Sequence, residues 1–402
     1  MRICLHTYYE IADPYIGGTQ TLLVKLAKEL NVLGHEAFIV CSSMRPHFTV
    51  EGVDVYGVIP EKHIPLLQSK YQGVASSKFL KEAMVDGNDI ETALINLATY
   101  SYEQYSRFEA DIFHLNAYVA AFAQKNRMPI VAYQHENEEE FDGFWGKGAF
   151  ECLVRLTKTY NSQPNGKRML FTASHYYAQR FSELFDTPIQ SVHLGVLLHD
   201  MMRSKAVKFT ETTCFNRTSD SIVVLIPSRF NIKQKGQDLA IAACERLLKQ
   251  HPLELVFSGV KSSLKPELEE FREKNRDLKI ANHIHFIAVQ NMSDLYGCAH
   301  IVLSPERYCS YGLSISESLA MGIPTVLSDI PTYHEIAFGY EHAFFFKNND
   351  QNDLETTLNK AIIEAARYNF RYVDSSVEFR INNDIRTTAV AFSRIYKELL
   401  QQ

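Results

Sequence analysis

Two cations and one helix start are the residues in this chain best suited to chemistry. Arg229 and Lys235 stand in the run Pro227-Ser-Arg-Phe-Asn-Ile-Lys-Gln-Lys-Gly236, directly after the apolar run 221–226. Alone, such a pair reads as solvated surface charge. Between a buried strand and a helix start it reads as a diphosphate clamp. A guanidinium offers a planar fork and an ammonium a point charge, and both suit phosphate oxygens. The second stretch runs from Ser304 to Ser328. Residues 300–303 read as a buried strand, and Pro305 turns the chain. Leu313, Ser316, Leu319 and Ala320 then recur at helical spacing. Gly322 stands where a C-terminal cap belongs, and Pro324 stops any continuation. A loop feeding a helix start leaves backbone N–H groups unpaired at the positive end of the helix dipole, a ready site for phosphate or diphosphate.

Two weaker candidates lie nearer the N-terminus. Gly17-Gly18 precedes a helical pattern. It is either an ordinary turn or a loop that lets backbone approach a diphosphate or sugar. His135 follows the apolar run 129–133. It is either a packed structural histidine or a residue at the carboxyl end of a parallel strand, where open α/β sheets bind ligands.

Together these residues resemble the signatures of the family 4 glycosyltransferases, retaining enzymes of the GT-B architecture that use nucleotide-sugars. Gly312-Leu313, Glu317, Ala320-Met321-Gly322 and Pro324 match the family's longest motif. Ser228-Arg229 and Lys235-Gly236 match its Gly-Arg…Lys-Gly loop, with Ser in place of Gly. Gly17-Gly18-Thr19-Gln20, Gly34-His35, His135 and the hinge-like Gly195-Val196 fall in the expected order. The resemblance spans the whole chain.

The resemblance implies transfer of a sugar from a nucleotide-diphosphate-sugar to a glycan, a lipid-linked glycan or a small glycoside, as in polysaccharide biosynthesis, with retention of anomeric configuration. His135, Arg229 and Lys235 take the catalytic roles. Gly17, Gly18, Arg229, Lys235, Gly259, Cys309, Tyr311, Gly312, Leu313 and Glu317 hold the donor. Backbone N–H groups near Tyr311 to Leu313 meet the leaving diphosphate, and Glu317 accepts hydrogen bonds from ribose hydroxyls. The base is placed between the loop after Gly259 and residues 288–290. No D-x-D occurs in the chain, so no metal or other cofactor is expected. One position departs from the family: its first Glu falls on Cys309. A thiol is a poor acceptor. Either the donor sugar differs, or another residue such as Glu306 reaches in, or activity is reduced or lost.

The elements that must position these groups read as alternating strands and helices. Residues 2–6, a stripe over 22–33 and residues 37–41 form a βαβ opening, which favours a parallel, doubly wound sheet. Residues 44–110 are punctuated by Pro46, Pro60 and Pro65, with a helix over 94–108. The aromatic, glycine-rich stretch 141–150 holds the single tryptophan. It reads as a lid, an acceptor site, a membrane-resting loop or a loop folded over the core. Residues 199–220 are polar and linker-like, and the strand–helix rhythm restarts at 221. The fold expected is α/β: two Rossmann-like domains, 1–197 and 198–383, facing across a cleft, with the helix 384–402 packing back on the first.

At 402 residues the chain is long enough for two such domains. A net charge of -6 argues against nucleic acid. The seven cysteines are scattered, with no C-x-x-C pair. That fits a reducing cytoplasm. No signal peptide or membrane span is expected. Peripheral contact with the inner face of a membrane and a homodimer are further expectations. Two rival readings stay open: a non-catalytic glycosyltransferase-like binding subunit, and a GT-B sugar-nucleotide epimerase or phosphorylase.

Overall fold

The computed structural model describes residues 1–11, 18–122, 128–161, 167–197, 221–258, 265–287, 292–367 and 381–402. They form two compact units, Met1–Leu194 with Ile385–Gln402, and Gly195–Asp384.

The first unit opens with β1 (Arg2–His6), α1 (Gly18–Val32) and β2 (Glu36–Cys41). Leu22, Leu23, Leu26, Ala27 and Leu30 form the buried stripe of α1. Asn31 both donates to and accepts from the Ala37 backbone, at 3.1 and 2.6 Å, which ties the end of α1 to the start of β2. Residues 44–110 are more regular than their prolines suggest. They hold an antiparallel hairpin, β3 (Phe48–Val50) and β4 (Val53–Gly57), then α2 (Ile64–Tyr71), α3 (Ser77–Val85) and α4 (Ile90–Tyr105). Ser76 and Asp89 cap α3 and α4 through side-chain oxygens, the preferred cap chemistry.

The unit continues with β5 (Ile112–Leu115), β6 (Ile130–Gln134), α5 (Glu138–Trp145), α6 (Ala149–Asn161), β7 (Arg168–Thr172), α7 (His175–Phe185) and β8 (Ile189–Ser191). The sheet order is β3-β4-β2-β1-β5-β6-β7-β8, parallel except for the hairpin. The chain builds outward from β1 on one side, then returns to its other side at β5. The C-terminal ends of β1 and β5 therefore mark the switch point, where such sheets hold ligands.

The aromatic stretch 141–150 holds more helix than a loop would: it is the end of α5, a turn over 146–148 and the start of α6. Asn137 starts α5 with a capping box to Glu140, at 2.9 and 3.2 Å. Phe141, Trp145 and Phe150 are buried in the core of this unit. Three of the rings thus form core, as the reading of a stretch folded over the core expects, while Phe144 stays half-buried.

The second unit contains β9 (Ile222–Ile226), α8 (Ile232–Lys235), α9 (Gln237–Leu247), β10 (Leu253–Phe257), α10 (Lys265–Asn275), β11 (Ile284–Phe286), α11 (Met292–Cys298), β12 (Ile301–Ser304), α12 (Leu313–Ala320), β13 (Thr325–Ser328), α13 (Pro331–Ile336), β14 (Ala343–Phe346) and α14 (Gln351–Arg367). The sheet is parallel, in the order β11-β10-β9-β12-β13-β14. Its switch point lies between β9 and β12. The chain then gives its last helix, α15 (Ile385–Gln401), to the first unit. Tyr396 OH meets His114 Nδ1 at 2.6 Å, and Ser393 Oγ meets His35 Nε2 at 2.8 Å. Among the described residues no helix is long and apolar enough to cross a membrane.

Candidate functional site

The switch point of the second sheet is built by two loops, one after β9 and one after β12. Asn231 caps the short α8, and Gly236 joins it to α9 with φ +65°. A Cβ at Gly236 would lie 2.0 Å from the Pro305 carbonyl oxygen. Only glycine lets the two loops touch there. Arg307 fastens the contact. Its backbone N–H donates to Gln234 O at 2.8 Å, and its guanidinium donates to Ile232 O at 2.6 Å. The same guanidinium grips the Asp238 carboxylate at 2.8 and 3.2 Å and Asn349 Oδ1 at 2.9 Å.

Held this way, Arg229 is exposed and donates to Gln234 Oε1 at 3.1 Å. Lys235 Nζ pairs with Glu306 Oε2 at 2.5 Å, with the two side chains only 12% and 4% exposed. Ser228 Oγ and Gln237 Oε1 are buried and meet no partner among the described residues. Buried polar atoms are ordinarily satisfied, so this loop keeps hydrogen-bonding capacity in reserve beside its cations.

The second loop leads into α12, whose N-cap residue Gly312 makes no side-chain cap bond. A Cβ at Gly312 would come within 2.9 Å of the Tyr333 ring, so the close packing of this turn needs glycine. Cys309 is buried and its thiol donates to the Tyr311 carbonyl, while its own carbonyl accepts from Thr332 at 3.0 Å. Tyr333 OH meets Ser304 Oγ at 2.8 Å. Burial first, then the nearby Glu306 and Cys309, push the Tyr333 phenol well above its ordinary range. Leu313 is half-buried and packs on Val196 and Ala320. Glu317, one turn into α12, accepts from Tyr296 OH at 3.1 Å. Burial and the Glu317 charge raise the Tyr296 phenol, which stays a donor.

In the first unit the polar ends of three strands converge. His135 Nε2 lies 2.7 Å from Asn116 Oδ1. Asn116 Nδ2 donates to His6 O at 3.0 Å. Tyr133 tilts against the His135 ring with centroids 4.6 Å apart. Burial pushes the His135 imidazole down to about 3. Gly18 is the first residue of α1; Gly17, Gly259 and residues 288–291 lie outside the described residues.

The structure thus gathers Arg229, Lys235, Cys309, Tyr311, Gly312, Leu313 and Glu317 in the second unit, and places His135 in the first. Glu306 enters as the partner of Lys235. Sequence reasoning missed Arg307 and Asn116. Asn116 carried the same signal as His135, a polar residue closing an apolar strand, and went unread because a single asparagine ends many strands. Among the described residues no group of three or more His, Cys, Asp or Glu is arranged to hold a metal ion.

Two doubly wound units, one with a cationic loop pair at its switch point, define the GT-B class. Residues 213–371 match the family model described as glycosyl transferases group 1. An uncharacterized glycosyltransferase of Methanocaldococcus jannaschii is 24% identical over 354 residues, covering 84% of this chain and 82% of that protein. Sucrose-phosphate synthase from Thermosynechococcus elongatus shares the fold with a TM-score of 0.74 at 13% identity, covering 100% of this chain and 99% of that one. Anabaena HepE in complex with UDP-glucose gives 0.70 at 14% identity, covering 99% and 100%. The chain is a glycosyltransferase of the GT-B architecture.

Proposed function

We propose that this glycosyltransferase takes its sugar from a nucleotide-diphosphate-sugar held in the second unit, and transfers a hexose with retention of configuration. The observation that carries this reading is the joining of Arg229 and Lys235 to the uncapped start of α12 by the Gly236–Pro305 contact. In this reading Arg229, Lys235 and the first amides of α12 stabilise charge developing on the diphosphate as it leaves. Glu317 accepts from the ribose diol. The acceptor hydroxyl attacks from the leaving-group face and gives its proton to a donor phosphate oxygen. No protein nucleophile is then required. UDP-glucose in Anabaena HepE supports this donor class. The acceptor class is a glycan or lipid-linked glycan.

The test is a thermal-shift panel of UDP-, GDP-, dTDP- and ADP-sugars with their free diphosphates. A ligand that binds only the native state raises its stability by mass action. One nucleotide is expected to shift the parent protein and to leave the Arg229→Ala, Lys235→Ala variant unmoved. No shift with any of them would favour a binding subunit that has lost its donor site. Cys309, whose thiol is turned to the Tyr311 carbonyl, is the residue that keeps that alternative open. In the absence of acceptor, an altered sugar nucleotide marks an epimerase, whereas an unaltered one, or its slow hydrolysis to free sugar, fits a transferase.

A further inference from the structure

Glu306 puts a carboxylate among groups that suit an anion. Gly236 has no side chain, so the loop after β9 rests against the Pro305 carbonyl, and the next residue, Glu306, is delivered to Lys235. Its buried Oε2 accepts from Lys235 Nζ at 2.5 Å. The neighbouring cation, Arg307, is committed elsewhere, to Asp238, Asn349 and the Ile232 carbonyl. Arg229 turns to Gln234 Oε1. Among the described residues Lys235 is therefore the cation that balances Glu306. Two cations and one anion leave these loops one net positive charge. Lys235 and Glu306 cancel at short range, and Arg229 is exposed, where water weakens its pull.

An ammonium spreads its three N–H groups at tetrahedral angles. With hydrogen bonds of ordinary length, a phosphate oxygen held by Lys235 Nζ would lie about 4 Å from Glu306 Oε2. Like charges that close, with little water between them, repel strongly. The repulsion differs between substrate and product. A free nucleoside diphosphate carries about one more negative charge than the same diphosphate esterified to a sugar, because its terminal phosphate loses a second proton at about pH 6. A carboxylate beside Lys235 therefore opposes the leaving group more than the donor.

We propose that Glu306 is a specificity-determining residue that disfavours the free nucleoside diphosphate against its sugar ester, so that the product leaves once transfer has occurred. This rests on the donor reading above, which puts the diphosphate on Lys235.

The experiment is calorimetric titration of the full chain with three ligands built on the nucleotide that gives the largest thermal shift: the sugar nucleotide, the free diphosphate and the diphosphate methyl ester. The methyl ester has the charge of the donor and no sugar, so it separates charge from sugar contacts. The parent is expected to bind the methyl ester about ten-fold more tightly than the free diphosphate. In Glu306→Gln that preference should vanish, with the free diphosphate gaining most. A parent that binds the free diphosphate as tightly as the methyl ester would overturn the proposal, and that comparison needs no variant to fold. A preference that survives undiminished in Glu306→Gln would overturn it as well. In either case a bound sugar nucleotide leaves the donor reading standing. Failure of all three ligands to bind overturns both.

Discussion

Lys235 and Glu306 form an ion pair of 2.5 Å between two loops that lie 71 residues apart in the chain. With side chains 12% and 4% exposed, neither charge has ready access to bulk water. Removing one partner strands the other, which typically costs about 3–5 kcal/mol for a buried pair. Glu306→Gln and Lys235→Met should each destabilise the protein by amounts approaching that range, and the double substitution should cost less than their sum. Denaturant unfolding of all four proteins measures this. Additive losses would mean the pair contributes no coupling.

Gly236 and Gly34 separate two reasons for glycine. Both have positive φ, but an added Cβ at Gly34 meets nothing within 4 Å, while at Gly236 it would strike the Pro305 carbonyl at 2.0 Å. Gly34→Ala should cost about 1–2 kcal/mol from backbone conformation alone. Gly236→Ala should cost more and should abolish the nucleotide-dependent thermal shift, because the two donor loops must part. Equal losses of stability would show that the loop contact is not tight.

Acid should weaken the first unit through its buried histidines. Burial lowers His6 to about 4 and His114 to about 3. Both are neutral when folded, whereas the unfolded chain binds their protons below about pH 6.5. Stability is therefore fully present above pH 6.5 and falls as pH drops toward 4, by about 1.4 kcal/mol per pH unit for each group. His114→Gln should remove about one proton from that slope. Unfolding midpoints measured from pH 7 to 4.5 test the sign and the size.

Cys309 is buried near Tyr333, a phenol that also feels the Glu306 charge, and its thiol is donated to the Tyr311 carbonyl. Cys309→Ser keeps a donor of similar size and should leave nucleotide binding within a few-fold of the parent. Cys309→Glu introduces a second carboxylate into a site that already holds one. It should destabilise the protein. Calorimetric titration with the preferred diphosphate and thermal unfolding together check both outcomes.

Much of this protein was legible in its sequence because the signals are local. The apolar period of α1, the cap residues around α12, and two cations between a strand and a helix each depend on neighbours within a few residues. Those patterns carry the alternation of strands and helices and the loop proposed to hold the diphosphate. The sequence could not say which polar ends meet. Strand order brings Asn116 to His135 and His6, and glycine packing brings Lys235 to Glu306. Burial decided the rest. Residues 141–150 read in one dimension equally as a lid, an acceptor site, a membrane-resting loop or a loop folded over the core, and the fold takes Phe141, Trp145 and Phe150 into the core. Hydrophobic burial depends on what lies opposite, and only the folded chain supplies that.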